Sequence, residues 1–357
     1  MIKRNNIIYI LSPAIGIAGG ADKATKLLAE AYRNLKFDVK VFATSCEVQT
    51  NSDEINIKPP YLNYGHRWRI PQISLIIKLL FNCWINKPRY IHCIGLTFEI
   101  KLALKFLKKY KLVVWETTEA NKENRFVYHG IIPYLKHAIM ILAPSQTIKQ
   151  NILTNYQYSG IINILPFWTD WLPKIYVTDK KRTGHLLYVG RLDIDKGFDC
   201  LFNALRQLNN KFNLHIDICG RGNIDSIKKL AYNLEKVTFH GFANNNKLVN
   251  LYNNADFVIL PSKHEGYPLS LIEACGYSVP IIATKVGSIP EVFGKSKAAL
   301  LFNTSSESDL INCLNIAYSE NDQEYHSRRK SSRDLFEKIN SLNQIEQSLL
   351  NIGKFNL

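Results

Sequence analysis

The feature that most constrains this chain is a strand–helix alternation that runs through it twice. "NNIIYIL" (Asn5–Leu11) is a short apolar strand, and "SPAIGIAGG" is a turn with Gly16, Gly19 and Gly20. Ala21–Leu35 then has helical periodicity, with Leu27, Leu28, Ala31 and Leu35 on one side, and "DVKVFAT" returns as a second strand. "YIHCIG" (Tyr90–Gly95), a helix over Glu99–Tyr110, "KLVVWE" and "HAIMILAPS" continue the pattern. Near Leu165 it stops in prolines, aromatics and a charge cluster, which marks 166–184 as a linker. A second series starts at "HLLYVG" (His185–Gly190) and runs through "NLHIDICG", "KVTFHG" and "DFVILPS", with helices expected over Phe198–Leu208, Asp225–Leu234 and Asn246–Ala255. Such alternation makes parallel sheets covered by helices. The expected fold is α/β: two Rossmann-like doubly wound domains, 1–165 and 185–340, and an amphipathic helix in 341–357. Ligands in such sheets bind outside the carboxyl ends of the strands, and two such domains place the expected site in the cleft between them.

Composition narrows the function classes. The 357 residues are 46% hydrophobic and 21% charged, ordinary globular values with enough apolar mass for two cores. Seven cysteines without a CxxC pair read as reduced thiols in a cytoplasmic protein, not a disulfide framework or zinc site. No run of about 18 apolar residues suggests a membrane span, and the N-terminal apolar run is too short for a signal peptide. The formal charge of +15 favours anionic partners, but the basic residues form no nucleic-acid-binding motif, so nucleic acid is not expected.

Chemistry-bearing residues gather where strands end. In "VGRLDIDKGFD", Arg191 and Lys196 stand between a strand and a helix, where free N–H groups already favour anions. Arg forks onto phosphate oxygens, Lys acts as a point charge, and Gly197 permits close backbone approach. A solvated basic loop is the plainer alternative. "ICGRGN" brings Gly220 and Gly222 to the same edge, and "GIAGG" in the first domain is neither a dinucleotide fingerprint nor a Walker loop. "HEGYPLSLIEACG" carries Glu265 and Glu273 eight residues apart. With a helix expected to start near Pro268 and end near Gly276, Glu265 sits in the loop and Glu273 lies about 7–8 Å along the helix. The backbone N–H groups of Gly266 to Leu269 lie between them. A phosphate flanked by polyols, as in a nucleotide-sugar, suits that arrangement. The alternative is an acidic cap and an exposed helix acid, although Glu273 stands among Leu271, Ile272, Ala274 and Cys275.

On these residues the chain resembles the family-four retaining glycosyltransferases, whose signature is E-x7-E and whose fold is GT-B. The likeness is specific over about Gly184–Asn303 and weaker over Met1–Ser145. The resemblance implies a retaining hexosyltransferase that uses a nucleotide-sugar. Its catalytic groups would be Arg191 and Lys196 on the diphosphate and Glu265 facing the donor sugar. Glu273 would bond the ribose. Gly266, Tyr267 and Leu269 would offer backbone, Phe242 would border the base, Gly220 would lie nearby, and Gly19 and Gly20 would approach from the first domain. It implies no cofactor and no metal, because cations neutralise the leaving diphosphate. It also implies that the last helix crosses back onto the first domain. Many relatives carry a histidine where this chain has Glu116 and Glu119, so these and His92 are the acceptor-side candidates.

The acceptor expected is a saccharide or lipid-linked saccharide, in surface polysaccharide or lipopolysaccharide synthesis. "RWRIPQISLIIKLLFNCWINKPR" and "KLALKFLKKYK" are basic and amphipathic, with Trp68 and Trp84 in the first and Lys101, Lys105 and Lys108 on one face of the second. Such segments rest on anionic lipid, or simply pack as core helices with solvated lysines. Rival functions are a nucleotide-sugar epimerase of the same fold and a basic nucleic-acid-binding protein.

Overall fold

The structure is a computed structural model. It describes residues 6–12, 20–43, 54–56, 73–95, 105–120, 132, 135–169, 180–208, 211–340 and 342–354. The chain divides into two compact units: Met1–Phe167 with Leu342–Leu357, and Trp168–Ser341. The division falls at the start of the segment expected as a linker, and 170–179 lie outside the described residues.

In the first unit, β1 (Ile7–Ser12), α1 (Gly20–Asn34), β2 (Asp38–Ala43), β3 (Glu54–Asn56), α2 (Ile73–Asn86), β4 (Tyr90–Ile94), β5 (Leu112–Trp115), β6 (Ala138–Ala143), α3 (Gln146–Asn155) and β7 (Ile161–Ile164) follow in chain order. The seven strands lie in the order β3-β2-β1-β4-β5-β6-β7 and pair in parallel. Strands covered on both faces read as unbroken apolar runs, which is why "YIHCI" and "LVVW" are buried throughout. Tyr9, Phe42, Ile91, Leu112, Val114 and Ile141 form the centre of the core, with Leu79 and Cys83 of α2 against them.

The second unit runs β8 (His185–Val189), α4 (Phe198–Leu208), β9 (His215–Cys219), α5 (Ile224–Leu230), β10 (Val237–Gly241), α6 (Asn245–Asn254), β11 (Phe257–Leu260), α7 (Leu269–Gly276), β12 (Ile281–Thr284), α8 (Ile289–Phe293), β13 (Ala299–Phe302), α9 (Glu307–Ser319) and α10 (Asp322–Ile339). Its parallel sheet is ordered β10-β9-β8-β11-β12-β13, so the order reverses between β8 and β11. That switch point is where an open α/β sheet leaves a crevice for ligand. Asp256 fixes the opposite edge: its buried carboxylate accepts from the N–H groups of Thr183, Gly184 and His185 and pairs with Lys180. α10 starts on a capping box, Asn321 with Glu324, and packs along α7. α11 (Leu342–Lys354) belongs to the first unit and packs on α1.

Several elements differ from expectation. β3, β7 and β12 are short strands that the apolar pattern did not isolate, and α3 is a helix it did not mark. α5 ends at Leu230 rather than Leu234: the Ala231 N–H is shared between Ile227 and Lys228 carbonyls, and Asn233 turns to φ +60°. Of the helix expected over Glu99–Tyr110, only 105–110 is described, and helical backbone covers just 105–106.

Candidate active site

Two loops meet across the switch point of the second sheet. After β8 the chain passes Gly190 and Arg191, and Leu192 bridges to Gly222 of the loop after β9. A turn of 3-10 helix, Ile194–Lys196, follows and ends on Gly197 in the left-handed region at φ +70°. That turn buries Lys196 and aims it at the loop after β11. Gly197 is required twice, because a Cβ there would lie 2.0 Å from the Pro261 carbonyl oxygen. The Lys263 N–H donates to Asp195 O at 2.9 Å, stitching the loops together.

The loop after β11 carries Glu265. Lys196 Nζ lies 2.6 Å from Glu265 Oε1 and 3.3 Å from His264 O, and both charged side chains are largely buried. The turn between β12 and α8 holds this loop from the other side. The Ser288 hydroxyl donates to Gly266 O at 2.5 Å, the Thr284 hydroxyl donates to Ser262 O at 2.6 Å, and Gly287 packs against Glu265 O. Pro268 precedes α7 and offers no capping side chain. The beginning of α7, with Gly266, Tyr267 and Leu269, is therefore a helix N-terminus beside a lysine. Tyr267 is buried, which pushes its phenol well above the ordinary value.

Glu273 sits inside α7, 1% exposed, and accepts a hydrogen bond from the Tyr252 hydroxyl at 2.9 Å. Tyr252 stacks on Tyr277 with ring centroids 5.0 Å apart. A solvated helix acid, the plainer alternative for Glu273, does not describe it. Arg333 of α10 donates to Gly276 O at 2.9 Å, at the carboxyl end of α7.

The remaining candidates of this unit share the carboxyl edge at different depths. The Gly220 N–H donates to Gly241 O at 2.8 Å, and Gly220 packs against the Gly190 carbonyl. Phe242 is 49% exposed, with the Arg221 guanidinium 4.4 Å from its ring centroid. Arg221 was not singled out in the sequence; its signal was its place between two glycines at a strand end. Arg191 reaches the same edge but not the Lys196–Glu265 contact: it is 73% exposed and pairs with Asp193 at 2.5 Å.

In the first unit, Gly19 lies outside the described residues, as do Trp68 and Lys101, while Gly20 opens α1 with open space where a Cβ would stand. Two of the acceptor-side candidates, His92 and Glu116, are buried. His92 is wholly buried in β4; its Nδ1 pairs with the Tyr32 hydroxyl at 3.0 Å and its ring lies against Trp115. Burial lowers its pKa from 6.5 to about 3, which keeps the imidazole neutral. Glu116 is also wholly buried, and burial raises its pKa. One oxygen accepts from the Thr117 and Thr118 N–H groups and the Thr118 hydroxyl; the other accepts from Tyr156. Its carboxylate organises the turn after β5 and is not offered to an acceptor. Glu119 is half-buried, and its carbonyl accepts from Asn151.

With this geometry in hand, similarity to known proteins becomes specific. The family described as glycosyl transferases group 1 matches residues 177–334, the unit that holds the Lys196–Glu265 pair. A Klebsiella pneumoniae protein, described as an uncharacterized 41.2 kDa protein in the cps region, is 29% identical over 136 residues, 38% of this chain and 37% of that one. The chain matches only 28% to 37% of the length of three curated relatives. Among solved structures, sucrose-phosphate synthase from Thermosynechococcus elongatus superposes with a TM-score of 0.81 at 17% identity, over 98% of both chains. Anabaena Alr3699/HepE in complex with UDP and glucose gives 0.70 at 17% identity, over 98% of this chain and 99% of that one. At such identities the likeness establishes the fold. The chain therefore has the GT-B fold, and its residues 177–334 match the family of glycosyl transferases group 1.

Proposed function

We propose that this chain transfers a hexose from a nucleotide-sugar, with retention of configuration, to a saccharide or lipid-linked saccharide. The Lys196–Glu265 pair across the switch point, beside the N-terminus of α7, is the observation that carries this reading. The ammonium of Lys196 spends two of its N–H groups on Glu265 and His264, leaving a third for a phosphate oxygen. The donor diphosphate takes that position, with Arg191 swinging in from the rim and the backbone of Gly266, Tyr267 and Leu269 adding N–H groups. Glu265 accepts from hydroxyls of the sugar, Glu273 from the ribose, and Phe242 borders the base.

The bond between the anomeric carbon and the diphosphate breaks, and the acceptor oxygen bonds to that carbon from the same face. The leaving phosphate oxygen takes the acceptor proton. Lys196 and Arg191 stabilise the charge that grows on the diphosphate, so the step uses no metal.

A place in surface polysaccharide or lipopolysaccharide synthesis draws support from the Klebsiella relative in the cps region. Association with an anionic membrane face draws support from α2, where Ile77, Phe81, Trp84 and Ile85 form an exposed stripe next to Lys78. No helix of the described residues is long and apolar enough to cross a membrane.

A thermal-shift panel of nucleotide-sugars tests the donor, since a specific donor raises the melting temperature by mass action. The hit is then incubated with oligosaccharide acceptors, and the anomeric configuration of the product is read by NMR. Isomerised donor in the absence of acceptor supports an epimerase instead. No stabilisation by any nucleotide-sugar overturns the reading.

A further inference from the structure

A second cluster of polar side chains lies toward the other end of the same sheet. His185 is the first residue of β8 and His215 the first of β9, and the register pairs them directly. Asp217 follows His215 by two and shares its face of the sheet; Thr238 of β10 pairs with Asp217. His185 Nδ1 is 3.5 Å from Asp217 Oδ2, and His215 Nε2 is 3.5 Å from Asp217 Oδ1. One ligand atom from each of the three residues falls within 4.8 Å of the others, the one such group among the described residues. His185 Nδ1 is buried without a hydrogen-bond partner, an arrangement native proteins rarely leave unexplained. The backbone N–H of His185 donates to Asp256 at 3.0 Å, which fixes the start of the strand.

We propose that His185, His215 and Asp217 bind a first-row divalent metal ion, with Zn2+ the best match. At Zn–ligand distances of about 2.0–2.2 Å, neighbouring ligand atoms of a tetrahedral site are about 3.3 Å apart. Each histidine lies 3.5 Å from a different oxygen of Asp217, and side-chain rotations bring one ligand atom from each residue, now within 4.8 Å of one another, toward that value. Two imidazoles and one carboxylate suit Zn2+ and its transition-metal neighbours, whereas Mg2+ and Ca2+ prefer oxygen throughout. His240 Nε2 lies 2.6 Å from Asp217 Oδ1 and orients the carboxylate from outside, the role that second-shell partners play at metal sites. The Thr238 hydroxyl, 3.0 Å from His215 Nε2, gives way to the ion or bonds to a water in the fourth position.

The ion takes no part in sugar transfer. His185 opens the strand whose far end, Val189, lies about 13 Å away at 3.3 Å per residue and leads on to Arg191. It acts as a clasp between β8 and β9, holding the strands whose far ends present Gly190 and Gly220. Because it binds the folded unit, it raises stability with metal concentration.

The test uses the full chain without a histidine tag, stripped by chelator and titrated with Zn2+ and with Co2+. Expected are one equivalent bound, visible absorption bands of tetrahedral Co2+, and a melting temperature that climbs with Zn2+ but not Mg2+. His185→Gln and His215→Gln each weaken binding at least about tenfold. Both are judged against their own metal-free melting curves, so a variant that loses stability still reports on metal. Binding that is equal in wild type and both variants marks adventitious uptake and overturns the proposal, as does an octahedral Co2+ spectrum or no uptake.

Discussion

Lys196 and Glu265 are 69 residues apart in sequence, yet their charged atoms meet at 2.6 Å across the point where the second sheet reverses its strand order. Neither loop could hold its charge so deeply without the other, because a desolvated ion needs a partner. The pair therefore does two things. It settles the loops after β8 and β11 in one geometry, and it keeps a cation beside the N-terminus of α7.

Lys196→Met should lower kcat by about 10²–10³, the effect of removing one preorganised electrostatic group. It should also cost about 1–3 kcal/mol of stability, because Glu265 then loses its charged partner. The double variant with Glu265→Gln should recover at least half of that stability and none of the activity. Denaturant melts and steady-state kinetics on the three variants check this; recovery of activity in the double variant would contradict it.

Glu273 needs a test that separates donor contact from packing. Glu273→Gln preserves size and should weaken donor binding about tenfold or more, the worth of a hydrogen bond to a charged group. Tyr252→Phe removes the internal hydrogen bond and leaves the carboxylate. It should cost about 1 kcal/mol of stability with donor affinity within about twofold. Calorimetric titration with the donor distinguishes the two; equal losses of affinity would give Glu273 a structural role alone.

The legible parts of this site are those written locally. Arg191, Lys196 and Gly197 between a strand and a helix, and Glu265 before Pro268, announce themselves by type and spacing, and α7 begins and ends where its proline and glycine suggest. The burial of His92 and Glu116 is not legible because their surroundings are set from afar. His92 is turned inward to Tyr32, 60 residues away, and Glu116 accepts from Tyr156, 40 residues away. No local spacing encodes either contact. β12 escaped notice because "PIIAT" continues an apolar run begun in α7, so periodicity gave no break. Sheet register likewise brings His185, His215 and Asp217 together, and register is invisible in a single strand.

Two glycines should be irreplaceable for a stated geometric reason. Gly287→Ala places a Cβ 1.7 Å from Glu265 O, Gly197→Ala places one 2.0 Å from Pro261 O, and both positions have positive φ. Each should cost about 1–3 kcal/mol. Each should also lower kcat by about 10², since the shifted backbone carries Glu265 or Lys196 with it. Gly20→Ala is the contrast, with nothing within 4 Å of the new Cβ. It should leave the melting temperature unchanged or slightly raised.

His92 predicts an acid-sensitive first unit. Its folded pKa of about 3 lies below the unfolded value of 6.5, so the unfolded chain binds the extra proton between those limits. Stability is then fully present above pH 6.5 and falls with acidification toward pH 3, by up to about 1.4 kcal/mol per pH unit from this residue. Glu116 works in the opposite sense: its raised pKa makes the folded state hold a proton longer, so its contribution improves as pH falls toward 4.5 and below. The two are separated by His92→Gln, whose amide still meets the Tyr32 hydroxyl. Urea melts of wild type and variant at intervals from pH 4 to pH 7 should show the variant losing less stability on acidification, the gap widening below pH 6.5. Parallel stability curves would mean that His92 is protonated in the folded protein.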